Sequence, residues 1–137
     1  MAPDDNEFRL ERDNRLVSQF VQRVIDCRRD YYEWIQEEVK ESLTQIWCIE
    51  ATSTGEVKRQ AGRIAERLKS INKHELVEIT ENIKRRCDEI REGAWDDRNP
   101  MDAYHYLEEG LSYYKNIVQE LIQLRRTLAG LVDENPG

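Results

Sequence analysis

The longest uninterrupted stretch of this sequence runs from Asp4 to Thr54 and contains neither glycine nor proline. Apolar residues recur in it at steps of three and four, which is the spacing of one face of an α-helix. At about 1.5 Å of rise per residue, even 40 residues of such a helix would form a rod roughly 60 Å long. The stretch therefore predicts an elongated bundle, in which other helices cover this seam: Val17, Val21, Val24, Tyr31, Ile35, Val39, Leu43 and Ile46.

A cluster of turn-forming residues, Thr52-Ser53-Thr54-Gly55, predicts the end of the first helix. Ser53 and Glu56 form a capping-box pattern, so a second helix is expected to start at Ser53. Because the link is short, this helix should return antiparallel to the first. Its apolar seam is Val57, Ala61, Ile64, Leu68 and Ile71, followed by Leu76, Ile79, Ile83, Cys87 and Ile90.

The segment Ser70–His74 leaves two topologies open. Asn72 and Glu75 form a second capping-box pattern, which would open a new helix and give a four-helix bundle with a break near this segment. Against a break, the segment lacks glycine and proline, and the series Leu68, Asn72, Leu76 continues the helical spacing. One helix of about 39 residues would match the first in length. We therefore predict an all-α, elongated, antiparallel three-helix bundle, with four helices as the alternative.

The last helix has clear boundary signals. Gly93 is suited to cap the second helix, and Asn99 followed by Pro100 is the preferred start of another. A loop is expected over residues 95–99. The helix should end at Ala129, where Gly130 offers a left-handed cap.

Composition narrows the classes of function. At 137 residues the chain has the length of one domain, whose ends at 1–5 and 133–137 we expect to be flexible. The net charge of −7 argues against nucleic acids and acidic membrane surfaces, since phosphates require concentrated Lys and Arg. No apolar run approaches the roughly 20 residues that span a bilayer, and the N-terminus lacks the apolar core of a signal peptide. We expect an intracellular protein, cytoplasmic or nuclear, without membrane insertion.

Residues suited to catalysis are few. Cys27, Cys48 and Cys87 are odd in number and lie within helical patterns, which predicts buried, reduced thiols. A ferritin-like di-iron site needs two Glu-x-x-His pairs, whereas His74 and His105 are each followed, not preceded, by glutamates. The six glycines are scattered and form no phosphate-binding loop. We therefore expect no enzymatic activity, no metal and no cofactor.

A basic stripe at four-residue spacing, formed by Arg59, Arg63 and Arg67, lies on the second helix. An acidic stripe on the first helix consists of Asp26, Asp30, Glu33, Glu37 and Glu41. The two stripes could flank the antiparallel seam and set its register, although each exposed pair contributes only a few tenths of a kcal/mol. Alternatively, the arginines could bind an acidic segment of a partner.

Aromatic residues provide the second candidate surface. Besides the seam residues of the first and last helices, Tyr32 and Trp34 fall on the flanks, where large amphipathic rings often anchor interfaces. The last helix also has two apolar stripes, which together cover about half of its circumference. Either two neighbouring helices or a partner must cover the second, and we predict the partner. The second stripe is Tyr106, Gly110, Tyr113, Ile117, Leu124 and Leu131.

Three long antiparallel helices resemble in outline spectrin repeats, the regulatory bundles of syntaxins and the BAG co-chaperone domains. The apolar pattern from Leu76 to Asp88 is similar to that of a BAG helix, but it transfers no functional residue. Our leading hypothesis is a protein–protein interaction or adaptor bundle that binds a helical or acidic segment of another protein and could self-associate. The alternatives are a structural homodimer and a ferritin-like metal-carboxylate enzyme. The predicted partner-binding residues are Tyr106, Tyr113, Ile117, Leu124, Tyr32, Trp34, Arg59, Arg63 and Arg67.

Overall fold

Four α-helices and one π-helical turn make up the described part of the chain. The structure, a computed structural model, describes residues 5–93 and 99–134, with the surroundings of the side chains over 12–93 and 99–133. The elements are α1 Asp5–Thr52, α2 Gly55–Ser70, the π turn Ile71–Glu75, α3 Leu76–Arg91 and α4 Pro100–Glu134. The described residues contain no strand. The predicted leader, loop and tail lie partly outside these ranges, and α4 includes 133 and 134 of that tail.

One continuous helical rod is formed by α2, the π turn and α3. The residues at both junctions, Ser70 and Leu76, have right-handed helical dihedrals near φ −63°. The prediction of three long antiparallel helices is therefore confirmed, and the alternative of four helices with a break at Ser70–His74 is wrong. With 48 residues, α1 is about 70 Å long, as expected for an elongated bundle.

The rods alternate in direction. Phe20 packs edge-on against Tyr104 near the start of α4, with ring centroids 5.2 Å apart, and Glu38 farther along α1 pairs with Arg125 farther along α4. Contacts thus advance in the same direction on both helices, so α1 and α4 are parallel. The α2–α3 rod runs opposite to both.

The π turn corrects the register of the core. Ile71 and Leu76 are 0 % and 1 % exposed although they are five residues apart. In an α-helix, five residues advance about 500°, which would place these side chains on different faces. The π turn, in which the Leu76 N–H bonds the Ile71 carbonyl, brings both to one face. Asn72 is exposed, so the sequence-based assignment of this residue to the seam is wrong, and it caps no new helix.

All three rods meet at Tyr114. The fully buried ring of Tyr114 stacks on Tyr31 of α1, with centroids 5.8 Å apart and planes 13° apart. Its hydroxyl shares a hydrogen bond of 2.6 Å with Thr80 of α3, and burial raises its pKa. The predicted seams are confirmed around it: Val17, Tyr31, Leu43, Val57 and Ile79 are half-buried and the other members are buried.

Most predicted boundaries are confirmed. Gly93 has φ +87°, and the Asn99 Oδ1 accepts a hydrogen bond of 2.9 Å from the Met101 N–H at the start of α4. The predicted capping box at Ser53 is not formed, and the residue at the N-cap position, Thr54, makes no side-chain capping hydrogen bond. Thr54, with extended dihedrals of −135° and 171°, is the residue that precedes α2, and Ser53 is buried in the turn.

The C-terminal end of α4 differs from the prediction. Gly130 does not form a left-handed cap, and the helix continues through it to Glu134. Leu128 and Leu131 are both buried on either side of this glycine. Continued packing of these leucines outweighs the helix-propensity cost of glycine, which is about 1 kcal/mol.

Candidate interaction surface

One groove brings together three of the nine predicted partner-binding residues: Arg67, Tyr113 and Ile117. It lies beside the π turn, between the α2–α3 rod and α4, and has a volume of about 260 Å³. We call it the π-turn groove. Its lining residues are Arg67, Glu75, Glu78, Ile79, Tyr113, Asn116, Ile117 and Glu120.

Arg67 is held by two carboxylates at one end of this groove. Its Nη1 and Nη2 donate to Glu75 at 2.7 and 2.9 Å, and Nη2 also donates to the Glu120 Oε1 at 2.7 Å. Its Nε donates to the second oxygen of Glu120. These hydrogen bonds raise the pKa of Arg67 and lower that of Glu120. The guanidinium thus joins α2, the π turn and α4.

Apolar side chains form the rest of the groove. Ile117 is 5 % exposed and lies in the core, whereas Tyr113 is 42 % exposed. Ile79 is half-buried, and Asn116 and Glu78 are exposed. The groove therefore combines a buried apolar residue, an exposed phenol ring and several carboxylates.

The second apolar stripe of α4 faces the α2–α3 rod. Gly110, Ile117 and Leu131 are buried, and Tyr106 and Leu124 are half-buried. The prediction that this stripe is uncovered is therefore wrong, because the two neighbouring rods cover it. Tyr113 is its one exposed member.

Tyr106 lies two helical turns before Tyr113 on α4 and forms a layer with Arg86, which we call the Tyr106 layer. Arg86 of α3 is 8 % exposed, and its guanidinium carbon lies 4.5 Å from the centre of the Tyr106 ring. Arg86 donates to the Asn82 Oδ1 at 2.7 Å and to the Tyr106 carbonyl at 2.8 Å. The Tyr106 hydroxyl donates to Glu89 at 2.5 Å. Sequence reasoning missed this network, because a charged residue beside an apolar seam is usually solvated.

Gly110 makes room for the arginine of this layer. A Cβ atom added at Gly110 would lie 3.0 Å from the Arg86 Cδ and 3.3 Å from the Ile83 Cγ1. Contacts this short require the neighbours to move. The glycine of the second stripe is thus the position at which α3 and α4 approach closely around a buried side chain.

Arg67 does not pair with the acidic stripe of α1, as the sequence predicted for the basic stripe of α2. Its carboxylate partners lie on the π turn and α4. Arg59 pairs with Glu56 of its own helix at 3.1 Å. On α1, Glu41 pairs with Arg125 of α4 at 3.2 Å. The remaining predicted site residues are separate from the groove: Arg63 and Trp34 are exposed, and Tyr32 is half-buried.

Two neighbouring residues of α1 are exposed. Trp47 is 63 % exposed, and Cys48 is exposed, so the prediction that all three thiols are buried is wrong for Cys48. Cys27 is half-buried, and burial raises the pKa of the buried Cys87.

A larger groove of about 610 Å³ lies between α1 and α4, but it holds none of the predicted site residues. Its described lining is polar apart from Ala129, and Arg125 within it bridges Glu38 and Glu41. His74 and His105 are both exposed. Within 5–93 and 99–134, no group of three or more His, Cys, Asp and Glu residues is placed to hold a metal ion, and no helix is long and apolar enough to cross a bilayer.

Comparison with protein-family models, with curated proteins and with solved structures finds no significant match to this chain. The outline resemblance to spectrin, syntaxin and BAG bundles therefore gains no support from these comparisons.

Proposed function

We propose that this chain is a non-enzymatic interaction module that binds a protein partner through the π-turn groove. The observation that supports this proposal is Tyr113, a large aromatic side chain that stays 42 % exposed at the edge of a groove with a buried apolar residue, Ile117. Tyrosines in such settings are frequent anchors of protein interfaces.

The dimensions of the groove favour a protein ligand over a cofactor. Small-molecule and cofactor pockets usually have volumes of about 300–1,000 Å³ and enclose most of the ligand. The π-turn groove measures about 260 Å³, which matches the insertion of one or two side chains from a partner. The adjacent π turn adds weight, because π-helical turns are frequent at functional sites.

Photo-crosslinking tests this proposal. In cells that produce the protein at its native level, Tyr113 is replaced by benzoylphenylalanine, and the exposed Gln119 of the same helix carries the group in the matched control. We expect a specific adduct with another polypeptide from position 113 and none from position 119. Equal labelling from both positions, or none from 113, would contradict an interface at this groove.

The same experiment distinguishes the homodimer that the sequence leaves as an alternative. A crosslinked product composed of two copies of this chain would identify self-association through the groove. Sedimentation of the purified protein should then show a dimer that Tyr113→Ala dissociates. A monomer in sedimentation together with a heterologous adduct supports the adaptor role.

A further inference from the structure

Two tyrosines lie seven residues apart on the face of α4 that contacts the α2–α3 rod. Seven residues are about two helical turns, so Tyr106 and Tyr113 project in nearly the same direction. Tyr106 has a cation of the same chain over its ring, because Arg86 of α3 stacks on it at 4.5 Å. The residue seven positions before Arg86 in the antiparallel rod is Ile79, which lines the π-turn groove beside Tyr113. The residues around Tyr113, which we call the Tyr113 layer, thus include an isoleucine at the position where the Tyr106 layer has an arginine.

The charges around Tyr113 are predominantly negative. Among the described residues, one arginine, Arg67, and three glutamates line the groove: Glu75, Glu78 and Glu120. The charge of Arg67 is already compensated, because its guanidinium donates to both Glu75 and Glu120. The side chains of Glu75 and Glu120 are still about one-third exposed, at 36 % and 35 %, and can accept further hydrogen bonds.

We propose that the π-turn groove binds an arginine side chain of a basic segment of the partner, stacked on the Tyr113 ring as Arg86 is stacked on Tyr106. This inference rests on the proposed function and specifies its ligand. An aromatic face next to carboxylates attracts a guanidinium both through the ring quadrupole and through hydrogen bonds. It also reverses the sequence-based expectation of an acidic partner, because Arg67, the basic member of the described lining, is bound to carboxylates of its own chain.

The test uses two labelled peptide probes of about 15 residues that differ only in charge. One is an alanine-based helix with arginines at four-residue spacing, and the other has glutamates in their place. Binding to the full chain is followed by fluorescence anisotropy at low salt. We expect the arginine peptide to bind more tightly than the glutamate peptide. Tyr113→Ala should lower the affinity for the arginine peptide roughly fivefold. Tyr113→Phe, which keeps the ring, should leave this affinity within about twofold of the original.

A matched pair of charge variants separates the groove from the overall acidity of the chain. Glu78→Gln and Glu81→Gln each remove one carboxylate from an exposed position of α3, but Glu78 lines the groove and Glu81 does not. We expect only Glu78→Gln to lower the affinity for the arginine peptide. Equal effects would mean diffuse attraction to the acidic surface and would overturn the inference.

The remaining outcomes keep the two proposals apart. Tighter binding of the glutamate peptide, lost in Tyr113→Ala, would show an interface with an acidic partner, so that the inference fails and the proposed function stands. The inference is overturned if the arginine peptide binds Tyr113→Ala as tightly as the original chain, or if neither peptide binds. Photo-crosslinking at position 113 then decides the proposed function. Circular dichroism of each variant establishes that it is folded.

Discussion

The Tyr106 layer and the Tyr113 layer lie on the same face of α4, but their arginines differ in burial and in partners. Arg86 in the first layer is 8 % exposed and is bound by an amide oxygen, a backbone carbonyl and a ring face. A carboxylate oxygen of the exposed Glu109 lies 3.6 Å from its Nη1. Arg67 in the second layer has a side chain that is 36 % exposed and is bound directly by two carboxylates.

The comparison shows two ways of placing a cation in a helical bundle. A buried guanidinium is costly unless its donors are satisfied, so the first layer needs Gly110 to admit the side chain and neutral acceptors to bind it. A half-buried guanidinium such as that of Arg67 makes a smaller demand on packing, and water partly screens its ion pairs. The Tyr106 layer is therefore closed, whereas the Tyr113 layer is the one at which we propose that a side chain of a partner binds.

The largest difference in stability should separate two single-residue deletions in the α2–α3 rod, one inside the π turn and one outside it. The π turn provides one residue more than an α-helical connection from Ile71 to Leu76 requires. Deleting the exposed Lys73 should convert the π turn into an α-helix and keep both residues on the core face. We expect the deletion variant to stay folded, with a free energy of unfolding within about 1 kcal/mol of the original.

Deletion of Lys84, an exposed residue inside α3, is the matched control. It rotates the following seam, including Cys87 and Ile90, by about 100° and should abolish cooperative unfolding. Urea denaturation followed by circular dichroism measures both variants. Similar losses in the two variants would mean that the π turn is not an accommodated insertion.

An intermediate effect is expected from filling the space at Gly110. In Gly110→Val the new side chain collides with Arg86 and Ile83, and such overpacking costs about 2 kcal/mol of unfolding free energy. Gly130 is also helical but has nothing within 4 Å of an added Cβ. Gly130→Val should therefore change stability by no more than about 0.5 kcal/mol. Chemical denaturation measures the unfolding free energy of both variants. Equal changes would show that helix propensity, and not the close contact with Arg86 and Ile83, determines the effect of replacing Gly110.

The apolar period predicted the three rods because steps of three and four persist through every long segment. It could not locate the π turn, because Asn72 offers an alternative member of the seam at regular spacing. The choice of Ile71 instead depends on which residue α1 and α4 can cover, which is a property of the assembled bundle. The predicted end of α4 failed at Gly130 for a related reason: packing of Leu131 overrides a local signal.

The candidate site was only partly predictable. Arg67 and Tyr113 were identified from spacing and residue type, but the carboxylate of Glu120 lies 53 positions after Arg67 and only the fold brings the two together. The burial of Arg86 was missed because charge normally indicates a solvated face. Gly110 was recognised as a member of an apolar stripe, yet its close approach to α3 is visible only in three dimensions.

The smallest expected effect is a pH-dependent change in stability that comes from the ion pair between Arg67 and Glu120 in the Tyr113 layer. The hydrogen bonds from Arg67 lower the pKa of Glu120 below its ordinary value of 4.5. A carboxylate whose pKa is depressed on folding stabilises the folded state above its unfolded pKa, and this stabilisation is lost as the pH falls through the folded pKa. Because both side chains are about one-third exposed, its contribution at neutral pH should be no more than about 1 kcal/mol.

Glu120→Gln should therefore be slightly less stable than the original chain at neutral pH, and the difference should shrink as the pH falls through the folded pKa of Glu120. Urea unfolding at neutral pH and at a series of acidic pH values measures this difference, with Glu81→Gln as the control for removal of an exposed carboxylate from α3. A difference that persists unchanged at low pH would mean that shape, and not the charge of the Arg67 ion pair, stabilises this layer. Packing would then hold the carboxylates of the Tyr113 layer in place, as it holds Arg86 in the Tyr106 layer.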